Sequence, residues 1–170
     1  MTRSLTPALL MCTVLALSAA PASAQDVRER LVSGGATEPT RVLSTNPIGL
    51  AVRYLNVEYE TRVRDRLTTG IGASHLPASV GLGSYFNGDL FVRYYLTGRT
   101  FSGLSVDLKT GLTTVGDGRL GAGAGFDVNA SSRVNDRVVV SAGFGLKRVF
   151  AGADTYVLPT VRLVNVGIAF

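Results

Sequence analysis

From about residue 41 onward, apolar and polar residues alternate with a period of two. Residues 55–63 (LNVEYETRV) and 104–112 (LSVDLKTGL) show the alternation most clearly. Because successive side chains of a β-strand point to opposite faces, this pattern is typical of strands with one apolar and one polar face. No stretch after residue 40 keeps a helical period for three turns. The sequence therefore predicts an all-β domain.

The alternation and the turn residues between its runs predict eight strands. Short polar breaks at 64–66, 97–100 and 134–137 are typical of tight hairpins, whereas 76–85 and 150–157 are predicted to be longer loops. Hairpin connections imply an antiparallel up-and-down order, and an even strand count puts both ends of the domain on the side of the short turns. The predicted strands are residues 41–52, 54–63, 67–76, 86–96, 102–113, 119–131, 137–149 and 158–170.

The polar faces of these strands combine glycine with charged side chains. Glycine weakens an exposed strand, but inside a narrow barrel it leaves room for long side chains from a neighbouring strand. An eight-stranded barrel has an interior that side chains just fill. We therefore predict that the polar face lines the lumen, where acids and bases form ion pairs. The predicted lumenal charges are Glu58, Glu60, Arg62, Asp89, Arg93, Asp107, Lys109, Asp127 and Lys147.

A polar lumen implies that the apolar face points outward, as in a transmembrane β-barrel. The predicted strands are near the 9 to 11 residues that a tilted membrane strand needs. The alternative is a soluble periplasmic ligand-binding barrel with its apolar face inside. Aromatic residues cluster at the predicted strand ends, which favours the membrane because such barrels carry aromatic girdles at both interfaces. These residues are Tyr94, Tyr95, Phe101 and Phe170 on the short-turn side, and Tyr54, Tyr85, Phe86, Phe150 and Tyr156 on the other.

The first 40 residues are predicted to lie outside the barrel. Residues 1–24 are typical of a cleaved signal peptide: a basic start, an apolar run at 7–20 and small residues at 22–24. The apolar run is too short to span a bilayer. Residues 25–40 are polar and contain glycine and proline, which predicts a flexible periplasmic leader. The barrel then occupies residues 41–170.

Composition agrees with a protein that is only partly covered by water. Hydrophobic residues make up 46% of the 170 residues and charged residues only 17%, which argues against disorder and against an ordinary soluble surface. The net charge is +5, and the basic residues are spread singly, so we expect no nucleic-acid partner. The only cysteine, Cys12, lies in the predicted signal peptide, so we expect no disulfide.

Residues that could carry chemistry are few. His75 is the only histidine, and its neighbour Ser74 is predicted to point to the opposite face of the strand, so the two cannot act as base and nucleophile. Glu58 and Glu60 share a face about 6 to 7 Å apart, and structural ion pairing is a simpler role for them than acid–base catalysis. Residues 121–126 (GAGAGF) lack the third glycine and the following helix of a dinucleotide site. We expect no catalytic residue, metal site or cofactor.

The closing segment ends in Phe170, with Ile168, Val166 and Val164 at every second position before it. It resembles the C-terminal signal that bacterial outer-membrane barrels present to their assembly machinery. Arg162 departs from the apolar pattern and is predicted to extend to a rim. Residues 46–50 (NPIGL) and 55–60 (LNVEYE) are similar to the openings of small uncharacterised outer-membrane barrel families.

The eight predicted strands together resemble the small OmpX-like and OmpA-like barrels. The resemblance implies a monomer in the bacterial outer membrane, with its lipids and the barrel assembly machinery as partners. It also implies a role in envelope integrity or surface contact. We expect a non-enzymatic barrel with a plugged polar lumen. The alternatives are a narrow channel lined by Glu58, Glu60, Arg93 and Lys109, a lipid-modifying enzyme that uses His75, and the soluble barrel.

Overall fold

The computed structural model describes residues 38–78, 84–115 and 118–170, and these form a closed barrel of eight antiparallel strands in sequence order. This confirms the prediction of an all-β, eight-stranded up-and-down barrel. The predicted signal peptide and residues 25–37 of the predicted leader lie outside the described residues. The elements are β1 (Arg41–Thr45), α1 (Pro47–Ala51), β2 (Leu55–Arg64), β3 (Leu67–Leu76), β4 (Tyr85–Tyr95), β5 (Gly103–Val115), β6 (Arg119–Arg133), β7 (Val138–Ala151) and β8 (Asp154–Ala169).

Pairing of β1 with β8 closes the barrel. Their register runs from Val42 opposite Ala169 to Thr45 opposite Val166. We call the end where β1 begins and β8 ends the terminal end; the turns after β2, β4 and β6 lie there. The other end, called the loop end, carries α1 and the connections after β3, β5 and β7. Among the described residues, no helix has the length and apolar character needed to cross a membrane.

The first predicted strand, 41–52, is wrong after Thr45. Residues 47–51 form α1 instead, so the first connection contains a helix, whereas the predicted strands 41–52 and 54–63 leave only Arg53 between them. The reason is local: Asn46 caps the helix by accepting a hydrogen bond from the Gly49 amide at 2.8 Å, and Pro47 occupies the first turn. Proline is favoured there because its missing N–H has no partner in the first turn of a helix.

The predicted loop at 150–157 is also wrong. Strand β7 continues to Ala151 and β8 begins at Asp154, which leaves a two-residue turn. Gly152 adopts φ +67° in this turn, a conformation that glycine reaches without steric cost and that two-residue hairpins require. Strand β3 matches its predicted range of 67–76.

The side chains of the strands separate into an apolar outer face and a polar inner face. On β4, for example, Leu90 and Val92 are exposed, whereas Phe91 and Arg93, which alternate with them, are buried. Of the described residues, 28 large hydrophobic side chains are exposed and only nine hydrophobic side chains are buried. The interior instead buries nine-tenths or more of Glu58, Glu60, Arg93, Asp107, Lys109, Asp127 and Lys147. Polarity is therefore the reverse of that in a soluble protein.

Candidate functional site: the charged lumen

Arg93 is the centre of the largest charge cluster in the lumen, and only 2% of its side chain is exposed. Its Nε and Nη2 donate to the two carboxylate oxygens of Asp107, each at 2.7 Å. This bidentate contact follows from the register, which places Arg93 of β4 opposite Asp107 of β5. Nη2 also donates to Glu58 Oε1 at 3.1 Å, and Nη1 forms an ion pair with Glu60. One guanidinium thus holds carboxylates from two distant parts of the barrel wall.

Further side chains provide hydrogen bonds and an ion pair to the carboxylates of Glu58 and Glu60. Glu60 accepts hydrogen bonds from the hydroxyl of Tyr95 at 3.0 Å and from Thr68. Glu58 also forms an ion pair with Arg162 of β8, which donates to Asn129 Oδ1 at 3.1 Å. Because buried charges are costly unless they are paired and hydrogen-bonded, this saturation makes the cluster compatible with a closed interior.

Lys109 forms a second ion pair, with Asp127. Its Nζ lies 2.6 and 2.8 Å from the two carboxylate oxygens and 3.0 Å from the hydroxyl of Thr160. Thr160 in turn donates to Asp127 Oδ1 at 2.6 Å. Lys109, Asp127 and Thr160 come from β5, β6 and β8, so their hydrogen bonds connect strands across the lumen.

Lys147 forms the third cluster. Its Nζ makes an ion pair with Asp89 and donates to Asn87 Oδ1 and Thr113 Oγ1, both at 2.7 Å. On β6 the residue opposite Lys147 is Gly125, and the lysine side chain passes over Gly123, where an added Cβ would lie 3.0 Å from Lys147 Cε. This is the spatial role that the sequence predicts for lumenal glycines.

Eight of the nine predicted lumenal charges lie in these three clusters. The exception is Arg62, which lies at the terminal end with 23% of its side chain exposed and binds Glu38 at 2.7 Å. Arg62 follows Glu58 and Glu60 at every second position of β2, so it lies on the same face of that strand, nearer the terminal end. The hydrogen bonds place Arg162, Asn87 and Asn129 beside the predicted residues, although the alternation alone does not single them out.

Arg162 points into the lumen and not to a rim because β8 contains a β-bulge. Ser141 is paired with Asn165 and Gly143 with Arg162, so two residues of β8 oppose one of β7. Because the bulge adds one residue to β8, even-numbered residues face inward before it and odd-numbered residues face inward after it. It also affects the predicted assembly signal: Val164 is half-buried within the bulge, whereas the last three members of that signal remain outward and exposed, namely Val166, Ile168 and Phe170.

A cluster of buried apolar side chains, which we call the plug, lies inside the barrel at the terminal end. The turn between β4 and β5 places Phe101 inside the barrel, where it clusters with Val42, Val139 and Ala169. Tyr95 meets Phe101 edge to face, with ring centroids 6.5 Å apart. Both aromatic side chains are 1% exposed, so their predicted position in an outer girdle is wrong.

A cavity of about 250 Å³ lies in the lumen on the loop-end side of Arg93. Most of the residues that line it are polar, among them Asn56, Asn129 and Asn165. The Asn129 Nδ2 is buried without a hydrogen-bond partner among the described residues. A cavity of this size and polarity suits ordered water, since waters satisfy buried polar groups of this kind.

The structure places Ser74 and His75 on opposite faces of β3. Ser74 is buried in the lumen, whereas His75 is exposed and its Nδ1 lies 3.1 Å from the Tyr85 carbonyl oxygen. The two side chains therefore do not form a nucleophile–base pair. Within residues 38–78, 84–115 and 118–170, no group of three or more histidine, cysteine or acidic side chains is arranged to hold a metal ion.

No family model, curated protein or solved structure matches the chain.

Proposed function

We propose that the chain is an outer-membrane β-barrel, delivered by a cleaved signal peptide, that acts as a monomer without catalytic activity. The observation that carries this proposal is the reversed polarity of the barrel. A contiguous exposed apolar surface destabilises a protein in water but matches the hydrocarbon of a bilayer. The most exposed side chains of this surface include Leu108 at 68% and Ile168 at 62%.

The closed sheet supports the same proposal. In hydrocarbon every backbone N–H and C=O needs a partner within the protein, and a closed barrel provides one for each strand. Where β1 ends at Thr45, α1 follows, with Ile48 and Leu50 exposed on either side of the buried Gly49. The helix thus adds exposed apolar side chains at the loop end, next to the shortest strand.

The plugged lumen supports a role in envelope structure or surface contact and not in solute passage. Arg93, Lys109 and Lys147 are each saturated by carboxylates and hydroxyls, and Phe101 blocks the terminal end. We therefore propose that no cofactor binds and that the partners are outer-membrane lipids and the barrel assembly machinery. The assembly machinery would contact the outward side chains of Val166, Ile168 and Phe170 at the terminal end.

Cell fractionation followed by electrophoresis with and without boiling tests the proposal. We expect the protein in the outer-membrane fraction, and we expect the unboiled sample to migrate faster because a closed membrane barrel stays folded in detergent. A folded protein in the aqueous periplasmic pool would instead support the soluble barrel.

Electrical recording from the purified protein in planar bilayers separates the proposal from a narrow channel. We expect no discrete conductance steps, because the terminal plug and the Arg93 cluster interrupt the lumen. Reproducible single-channel steps from wild-type protein would favour the channel.

A further inference from the structure

The terminal end carries seven arginine side chains, which we call the arginine ring. They are supplied by β1 and by all three hairpins at this end. The described acidic side chains there are Glu38, Asp65 and Asp136, so the side-chain charge of this end is +4. The ring consists of Arg41, Arg62, Arg64, Arg66, Arg99, Arg133 and Arg137.

Only part of the ring is neutralised within the barrel. Glu38 bridges Arg62 and Arg99 at 2.7 and 2.8 Å, and Arg133 lies 3.7 Å from Asp136. In the described part of the chain the other four arginines form no ion pair, and all four are exposed: Arg41, Arg64, Arg66 and Arg137. Their guanidinium groups are therefore available to an external anion.

Two of these arginines flank a shallow surface depression. Arg64, Asp65 and Arg66 form its polar border, and Leu67 and Tyr94 form its apolar part. Leu67 and Tyr94 are directly paired between β3 and β4, and the Tyr94 ring is half-exposed on the outer face. Cationic groups thus lie immediately beside the apolar surface of the barrel, which is the arrangement that a phosphodiester joined to acyl chains would complement.

The choice of residue favours phosphate as the anion. The two lysines of the chain, Lys109 and Lys147, are both buried in the lumen, so the ring is made of arginine alone. Arginine presents a planar fork of donors that binds phosphate oxygens in pairs, whereas lysine acts as a compact point charge. Described arginines at the loop end are fewer, namely Arg53, Arg119 and Arg148, and Arg119 is paired with Asp154 at 3.1 Å.

We propose that the arginine ring binds the headgroups of anionic glycerophospholipids in the leaflet at the terminal end, with the depression beside Arg64 and Arg66 as the principal seat. This inference rests on the proposed function, because only a membrane-inserted barrel brings the ring level with headgroups. Each basic residue near an anionic bilayer surface strengthens binding about fivefold. Added salt weakens the interaction by screening.

Two variants with equal loss of charge test the proposal. The first, Arg41→Gln with Arg64→Gln and Arg66→Gln, removes part of the ring. The second, Arg53→Gln with Arg119→Gln and Arg148→Gln, removes the same charge from the loop end. Both are purified from membranes of cells that express the full chain and are placed in bilayer discs of phosphatidylcholine with or without phosphatidylglycerol. Native mass spectrometry then measures how much of each lipid stays bound.

We expect wild type and the loop-end variant to retain phosphatidylglycerol over phosphatidylcholine, and the ring variant to bind it at least about tenfold more weakly. Equal loss in the two variants, or no preference in wild type, would overturn the inference. Heat-modifiable mobility in discs of phosphatidylcholine alone tests the proposed function separately, because insertion there does not need the ring. A protein that inserts in neither bilayer contradicts the proposed function itself.

Discussion

Arg93 of β4 and Asp107 of β5 face each other in the lumen and share two parallel hydrogen bonds, both 2.7 Å long. The same guanidinium also contacts Glu58 and Glu60, so three buried carboxylates share it as an ion-pair partner. The geometry makes Arg93 the residue on which the lumenal charges most depend.

Replacement of this arginine should therefore destabilise the barrel strongly. We expect Arg93→Met to lower the free energy of unfolding by about 3 to 5 kcal/mol, because it leaves buried carboxylates without their cation. Equilibrium urea unfolding in detergent micelles, followed by circular dichroism, measures the change. The exposed Arg64→Met serves as the matched control and should change the free energy by no more than about 0.5 kcal/mol. Adding Glu60→Gln and Asp107→Asn to Arg93→Met should recover part of the loss. Similar small effects of both single substitutions would contradict this role.

Two lumenal glycines on β3 should respond differently to alanine. A Cβ at Gly70 would lie 2.9 Å from Phe91 Cε1 and closer still to the Tyr59 carbonyl, whereas a Cβ at Gly72 would meet nothing nearer than 4.0 Å. We expect Gly70→Ala to cost about 1 to 3 kcal/mol of unfolding free energy through overpacking. Gly72→Ala should be neutral or stabilising, since it restricts the unfolded chain. Urea unfolding of the two variants measures the difference, and equal stability would show that Phe91 does not need the space.

The N-terminal cap of α1 should stabilise the connection between β1 and β2. Asn46→Ala removes the acceptor for the Gly49 amide, and we expect a loss of about 1 kcal/mol of unfolding free energy. Asn46→Ser keeps a capping oxygen and should retain most of the stability. Hydrogen exchange at the Gly49 amide provides a local measurement. Unchanged protection in the alanine variant would be inconsistent with the capping contact.

Glu38 predicts a pH dependence at the terminal end. Partial burial raises the pKa of Glu38, but the hydrogen bond and charge of Arg62, together with Arg99, outweigh it and hold the pKa below its ordinary value of 4.5. A carboxyl with a lowered pKa stabilises the folded state above its unfolded pKa, and this contribution disappears as the pH falls through the folded pKa. The stabilisation is small because the pair is partly exposed.

Wild type should therefore exceed Glu38→Gln in stability at neutral pH, and the two should converge in acid below the folded pKa. Carboxyl chemical shifts recorded during an NMR titration measure the midpoint directly. Arg62→Gln should move that midpoint upward toward the ordinary value. A midpoint at or above 4.5 in wild type would contradict the contacts of Glu38 with the two arginines.

Alternation alone predicts most of the barrel, because a period of two fixes both strand type and face. Strand β3 matches its predicted range, and eight of the nine predicted lumenal charges meet in three clusters. The failure at α1 has a local cause: residues 47–51 are too few to display a helical period. The capping signal of Asn46 followed by Pro47 was the available indication.

Other features depend on tertiary contacts that a strand pattern does not contain. The bulge in β8 turns Arg162 toward the lumen, and only the pairing of β8 with β7 shows this change of face. Phe101 adopts φ +66°, a conformation that is uncommon for a bulky residue, and its packing in the apolar cluster of the lumen stabilises that conformation. Tyr95 lies two residues after Arg93 on β4, so the alternation alone predicts that it points inward. Its residue type instead favours an interfacial girdle.

The contact between the outer face and hydrocarbon is the central claim, and fluorescence quenching by brominated lipids tests it most directly. Cys12 is the only cysteine and lies in the predicted signal peptide, so a fluorophore can be placed at Leu108→Cys on the outer face or at Asn135→Cys in an exposed turn. We expect brominated phosphatidylcholine to quench the label at 108 strongly and the label at 135 weakly. A folded, detergent-free protein whose label at 108 is quenched by aqueous iodide and not by the lipid would contradict the account.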